Sequence, residues 1–107
     1  MRRGDLVTVA LPGDLGKPRP ALVIQSDLFD SHPSVTILPV TSGLRVAPLF
    51  RIAVSPHESN GLSRPSQVMV DKPQSIAREK IGAVIGRLDG ETMLAVNRAL
   101  VVFLGFA

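Results

Sequence analysis

The sequence predicts an α+β fold, mostly β: a small SH3-like barrel or strongly curved antiparallel sheet, plugged by a C-terminal helix. Three observations carry this. Short runs of β-branched and apolar residues recur as far as Leu88. Breaks rich in Gly, Pro and Ser separate them. A single helical periodicity then follows, from about Glu91 to Leu104. Strands followed by one helix argue against alternating βαβ units.

The elements run in order. Asp5-Leu6-Val7-Thr8-Val9-Ala10-Leu11 alternates with β-branched residues and predicts a first strand. Pro12 to Pro18 is a Gly- and Pro-rich loop. Arg19 to Ser26 predicts a second strand, with an apolar centre so continuous that both its faces should be covered. Asp27-Leu28-Phe29-Asp30 suits a single helical turn. Val35 to Thr41 predicts a third strand, in which Pro39 marks a bulge or a free edge. Leu49 to Val54 predicts a fourth. Ser55 to Pro65 is a polar loop containing Asn60-Gly61. Ser66 to Asp71 predicts a fifth strand, stopped by Pro73, and Lys80 to Leu88 a short sixth strand or turn segment.

The helix has its own signals. Asp89 suits the N-cap and Glu91 complements the helix dipole. Met93, Val96, Leu100, Phe103 and Leu104 fall on one face, and Gly105 is a natural stop.

Composition bounds the function. At 107 residues, 45% of them hydrophobic, the chain reads as one domain spanning 1–107 with enough apolar surface for a core. It has no cysteine, which excludes disulfides and Cys-ligated metals. The longest apolar run, Ala99 to Leu104, is far below the roughly 20 residues of a membrane span. With no secretory pattern at the N-terminus, the sequence predicts a cytoplasmic protein. A net charge of +3 and a pI near 10.2 suit a polyanionic partner. Four Phe, with no Trp or Tyr, weaken any reading built on aromatic base-stacking platforms.

Arg19 is the leading candidate for chemistry. It stands between Pro18 and Pro20, where a loop becomes a buried strand. Flanking prolines stiffen the backbone on both sides. A guanidinium on so rigid a base suits an oxyanion such as phosphate; the plain alternative is a surface arginine paired with an acid. Thr41 and Ser42 end the third strand, where hydroxyls can donate to a phosphate or simply cap backbone groups. Asp14, in the loop before Arg19, can orient a guanidinium or a hydroxyl, or serve as a turn residue. Asp71 and Lys72 can add charge to the same rim, or solvate a turn. His32 and His57 sit in loops beside prolines, without metal-ligand spacing or an adjacent carboxylate pair, and read as exposed.

Four ordered pieces carry a family resemblance: Arg3-Gly4-Asp5-Leu6-Val7, Lys17-Pro18-Arg19-Pro20-Ala21-Leu22-Val23-Ile24, Val40-Thr41-Ser42, and Ser66-Gln67-Val68 through Ser75-Ile76. Together they resemble the MazF/PemK family of toxin endoribonucleases from bacterial toxin–antitoxin pairs. The resemblance implies a homodimeric barrel that cuts single-stranded RNA at short sequences, without a metal or other cofactor. It implies 2′,3′-cyclic phosphate and 5′-hydroxyl ends. Arg19 and Thr41 take the places of the arginine and threonine at the scissile phosphate, and Asp14 that of a loop acid. Lys17, Ser42, Gln67, Asp71 and Lys72 are the expected RNA-binding set. A cognate antitoxin with an acidic, disordered tail is the expected protein partner.

Met69 stands where the PemK-like branch carries an arginine, two residues before the acid Asp71. The segment from Val84 to Asn97 and Leu104-Gly105-Phe106 is also similar to CcdB, a gyrase-binding toxin of the same fold. That branch uses a tryptophan near its C-terminus, which this chain lacks, and has no Arg-Pro signature. The gyrase-binding alternative therefore ranks second.

Overall fold

The computed structural model describes residues 1–11, 13 and 16–107. The strands are β1 (Asp5–Ala10), β2 (Pro18–Val23), β3 (Ser34–Thr41), β4 (Arg51–Val54), β5 (Ser66–Met69), β6 (Gln74–Ala77) and β7 (Ile81–Arg87), followed by the helix α1 (Gly90–Phe103). Short 3-10 turns cover Asp27–Phe29 and Arg78–Lys80. All pairings are antiparallel, in the order β4-β5-β3-β2-β1-β7, with β6 also on β3. No helix is long and apolar enough to cross a membrane among the described residues.

The sheet buries both faces, as the apolar run in β2 predicts. Leu22 packs into one core with Leu6, Leu38, Val68, Val96 and Leu100. Its neighbours Ala21 and Val23 point the other way, into a second core with Val7, Val9, Val35 and Ile37. Side chains of this size contribute roughly 1.5–3 kcal/mol each when fully buried. The two cores hold β1, β2 and β3 as a rigid centre.

The sheet is strongly curved but not closed: β4 and β7, the two ends of the strand path, do not pair, and β6 pairs β3 alone. The loop after β4 bridges them in part. Arg87 N donates to Ser59 O at 2.8 Å. A Cβ on Gly86 would come within 2.3 Å of the Asn60 backbone, so this contact needs glycine. At the start of β1, Asp5 accepts from Arg2 N at 2.7 Å and from Arg87 Nη1 at 2.8 Å, which ties the N-terminus to the end of β7.

The structure has seven strands where the sequence predicts five or six. The additional one, β6, has four residues, Gln-Ser-Ile-Ala, and follows Pro73 directly. So short a polar segment has no period of its own; pairing with β3 makes it a strand. The helix starts as predicted, with Asp89 accepting from Thr92 N at 3.1 Å. It ends in a Schellman arrangement: Gly105, at φ +80°, donates to Val102 O, and Phe106 N donates to Val101 O. Of the predicted apolar face, Val96 and Leu100 are buried and Met93 packs against them, but Phe103 and Leu104 are each 47% exposed.

Candidate active site

Strands β2 and β3 pair only over Ala21↔Pro39, Leu22↔Leu38 and Val23↔Ile37. Beyond Ala21↔Pro39 they fork. β2 continues along β1, with Arg19 opposite Val9 and Pro20 opposite Thr8. β3 continues along β5, with Thr41 opposite Gln67. The fork opens a cleft of about 790 Å³, within the usual size of ligand sites. Prolines suit this place, because a strand that has lost its neighbour loses nothing by lacking an N–H. Pro20 and Pro39 both line the cleft.

Arg19 and Thr41 lie two residues outward from the last pair, one on each prong. Both line the cleft, with Ser42 and Lys72. Arg64 and Ser63 reach it from the loop before β5, Met69 from the end of β5 and Gln74 from the start of β6. The described lining thus carries three cations, Arg19, Arg64 and Lys72, several hydroxyls and no carboxylate. Such a set attracts an anion with spread charge and offers hydrogen bonds to its oxygens.

Thr41 Oγ1 accepts from Gly43 N at 3.0 Å. A hydroxyl has one donor and two acceptor sites, so this bond fixes the oxygen and leaves its proton to donate. The turn Thr41–Gly43 is itself held. Arg51 Nη1 donates to Gly43 O at 3.1 Å and to Gln67 Oε1 at 3.0 Å. Gln67 also clasps Arg45, accepting from its N at 3.1 Å and donating to its O at 2.9 Å.

The structure therefore gathers Arg19, Thr41, Ser42 and Lys72 of the expected set. Gln67 lies in the same register but spends its amide on the loop after β3, not on the cleft. Asp71 does not line the cleft; its Oδ1 is buried without a hydrogen-bond partner. Lys17 is exposed on the approach to β2, outside the lining. Asp14 lies outside the described residues. His32 and His57 are exposed, their Nδ1 atoms engaged with Ser34 and Ser59. Among the described residues no group of three His, Asp or Glu side chains is placed to hold a metal ion.

Sequence reasoning did not single out Arg64, Ser63, Gln74 or Arg51. The first two sit in a polar loop with no motif, and Gln74 belongs to the strand that has no periodicity. Arg51 falls inside the predicted strand Leu49 to Val54, where a lone charge in an apolar run is the one signal the sequence offers.

Comparison with known proteins gives a consistent picture. Residues 2–104 match the model of the PemK-like, MazF-like toxins of type II toxin–antitoxin systems. A relative from Mycolicibacterium smegmatis, described as a probable endoribonuclease MazF, is 46% identical, covering 100% of this chain and 99% of its own. Among solved structures, a Mycobacterium tuberculosis toxin, MazF-mt6, superposes with a TM-score of 0.81 at 26% identity, covering 94% of this chain and 96% of its own. A mycobacterial endoribonuclease in complex with its cognate antitoxin shares the fold, with a TM-score of 0.84 at 21% identity over 100% of this chain and 97% of that one.

Proposed function

This chain belongs to the PemK-like, MazF-like toxins of type II toxin–antitoxin systems, and from that premise we propose that its forked cleft cuts single-stranded RNA. The observation that carries this reading is the placement of Arg19 and Thr41 on opposite prongs of the fork, in a lining with three cations and no described carboxylate.

Cleavage uses the substrate's own nucleophile. The ribose 2′-oxygen attacks the adjacent phosphorus as it gives up its proton. The bond to the 5′-oxygen then breaks, and that oxygen takes a proton. The products are a 2′,3′-cyclic phosphate and a 5′-hydroxyl. Between them stands a phosphorane with more negative charge on its oxygens than the starting diester. Arg19 brings a guanidinium's positive charge to that site, and Thr41 offers its hydroxyl proton from an oxygen held by Gly43. Guanidinium stays charged at neutral pH, so Arg19 acts here as an electrostatic stabiliser rather than a base. Arg64 and Lys72 hold neighbouring phosphates, while Gln74 and Ser63 offer edges for base recognition.

The same basic cleft suits an acidic antitoxin segment, which would compete with RNA for it. The helix end supports a homodimer: Val102, Phe103 and Phe106 are exposed at 60%, 47% and 79%, surface that a second copy can cover. The reading places the protein in the cytoplasm, with its RNA. The gyrase-binding alternative is not favoured, because the relatives matched are MazF toxins.

Purified protein is to be incubated with a mixed RNA pool in excess EDTA. Cleavage at a short recurrent sequence, with cyclic-phosphate ends, is the expected result. Intact RNA in EDTA, with cleavage restored by a divalent cation, would overturn the metal-free mechanism. Intact RNA under both conditions would overturn the endoribonuclease reading.

A further inference from the structure

Arg51 is the least expected residue in the sheet. It opens β4 opposite Met69 and is 9% exposed. No described carboxylate lies within 4.0 Å of it, and its Nε is buried without a hydrogen-bond partner. Burying a cation is costly unless the charge is paired, and two neutral acceptors compensate it only in part. Hydrophobic packing alone gives no reason to place arginine here. Its two bonds do: one to Gly43 O at 3.1 Å and one to Gln67 Oε1 at 3.0 Å.

Those bonds lead to the fork. Gly43 is held at both ends, its carbonyl by Arg51 and its N–H by Thr41 Oγ1. Gln67 latches the nearby Arg45 by both backbone groups. Arg51 thereby fixes the turn residue whose N–H holds the Thr41 hydroxyl. It touches no cleft surface itself.

We propose that Arg51 is a positioning residue for RNA cleavage: through Gly43 it aims the Thr41 hydroxyl at the scissile phosphate. This inference rests on the endoribonuclease reading. Arg51→Met keeps much of the volume and removes the bonds and the charge; such replacements of buried charges by apolar residues are often tolerated. Arg51→Lys keeps the charge and can reach one acceptor.

The test is steady-state cleavage of a short RNA by wild type, Arg51→Met, Arg51→Lys, Thr41→Val and the Arg51→Met/Thr41→Val double variant. Thermal melts and the backbone amide spectrum accompany the kinetics. For Arg51→Met we expect kcat to fall by roughly 10- to 100-fold, the scale of a small misplacement at a reacting centre, with KM changed less than about threefold. Arg51→Lys should recover part of that loss. In the Thr41→Val background Arg51→Met should cost less than about threefold further, because the hydroxyl it aims is gone. The Gly43 amide should lose exchange protection in Arg51→Met while the β1 and β2 amides keep theirs.

Wild-type kcat in Arg51→Met would overturn the proposal. So would an equal loss in both backgrounds, which would mean that Arg51 does not act through Thr41. Should Arg51→Met fail to fold, Arg51→Lys and the Gly43 amide still read the contact. Should wild type cut no RNA, the endoribonuclease reading fails, and unchanged Gly43 protection in Arg51→Met would overturn the positioning contact separately.

Discussion

Arg19 and Thr41 stand two residues beyond the last β2–β3 pair, Ala21↔Pro39, so continued pairing would have set them face to face. The strands part instead. The two residues keep matched places on either side of the cleft that both line. A rigid, doubly buried centre at Ala21, Leu22 and Val23 fixes the span between them, and that fixed span is what preorganised stabilisation of a growing charge requires.

Arg19→Ala should therefore lower kcat for RNA cleavage by about 10²–10³-fold, the usual cost of removing one donor from such a site. Thr41→Val should do the same, while Thr41→Ser keeps most activity because the hydroxyl remains. Circular dichroism and melting temperature should stay near wild type for all three, since Arg19 is exposed and Thr41 lies at the rim. Cleavage by Arg19→Ala within tenfold of wild type would remove Arg19 from the chemistry.

Arg64 and Lys72 are exposed cations in the same lining, and their expected role is binding rather than chemistry. Each phosphate contact to a single strand contributes about 0.7 to the slope of log affinity against log salt. Arg64→Ala or Lys72→Ala should weaken binding of a non-cleavable RNA and reduce that slope by roughly this amount. A titration across salt concentrations reads it directly. Weaker binding with an unchanged slope would mean that the residue acts on base or shape, not on phosphate.

What was legible in the sequence follows from how local each signal is. The alternation in Asp5–Ala10, the apolar run at Ala21–Val23 and the Asp89 cap are local, and each element lies where its pattern predicts within two or three residues. Arg19 and Thr41 were legible because motif pieces carry them. Gln67 shows the limit. Its place beside Thr41 follows from the strand pattern, but its amide turns to Arg45, a contact between residues 22 positions apart that no local pattern encodes. Arg64 and Gln74 come to the cleft through strand order and loop packing alone. Whether the curved sheet closes is not legible for a similar reason: strand count and length do not say whether β4 and β7 meet.

Two glycines separate packing from conformation. A Cβ on Gly86 would fall 2.3 Å from the carbonyl carbon of Asn60, a backbone atom that cannot swing aside. Gly86→Ala should destabilise the protein by roughly 1–3 kcal/mol, the cost of overpacking. Gly90 opens the helix without a positive φ, and a methyl group there would meet nothing within 4 Å. Gly90→Ala should stabilise by about 0.4–1 kcal/mol, chiefly by restricting the unfolded chain. Urea unfolding of both variants checks the pair, and a stabilising Gly86→Ala would show that the loop after β4 does not pack on β7 as described.

Asp89 gives the pH dependence its sign. The hydrogen bond from the Thr92 side chain, then that from the Thr92 backbone, holds its carboxyl below the ordinary value of 3.8. A carboxyl lowered on folding stabilises the native state above its unfolded value, and that contribution disappears as pH falls through the lower, folded value. Asp89→Ala removes the cap at every pH. Near neutrality the variant should unfold at a lower denaturant concentration than wild type, because the first-turn N–H groups lose their acceptor. Below about pH 3.8 the difference should shrink, as wild-type Asp89 takes up its proton and becomes a weaker acceptor. Whatever the two proteins share cancels in the comparison, so the gap between the two unfolding midpoints isolates Asp89. A gap that stays constant from pH 7 to pH 2.5 (roughly the span in which native carboxylates protonate) would mean that the cap acts through shape and not through charge.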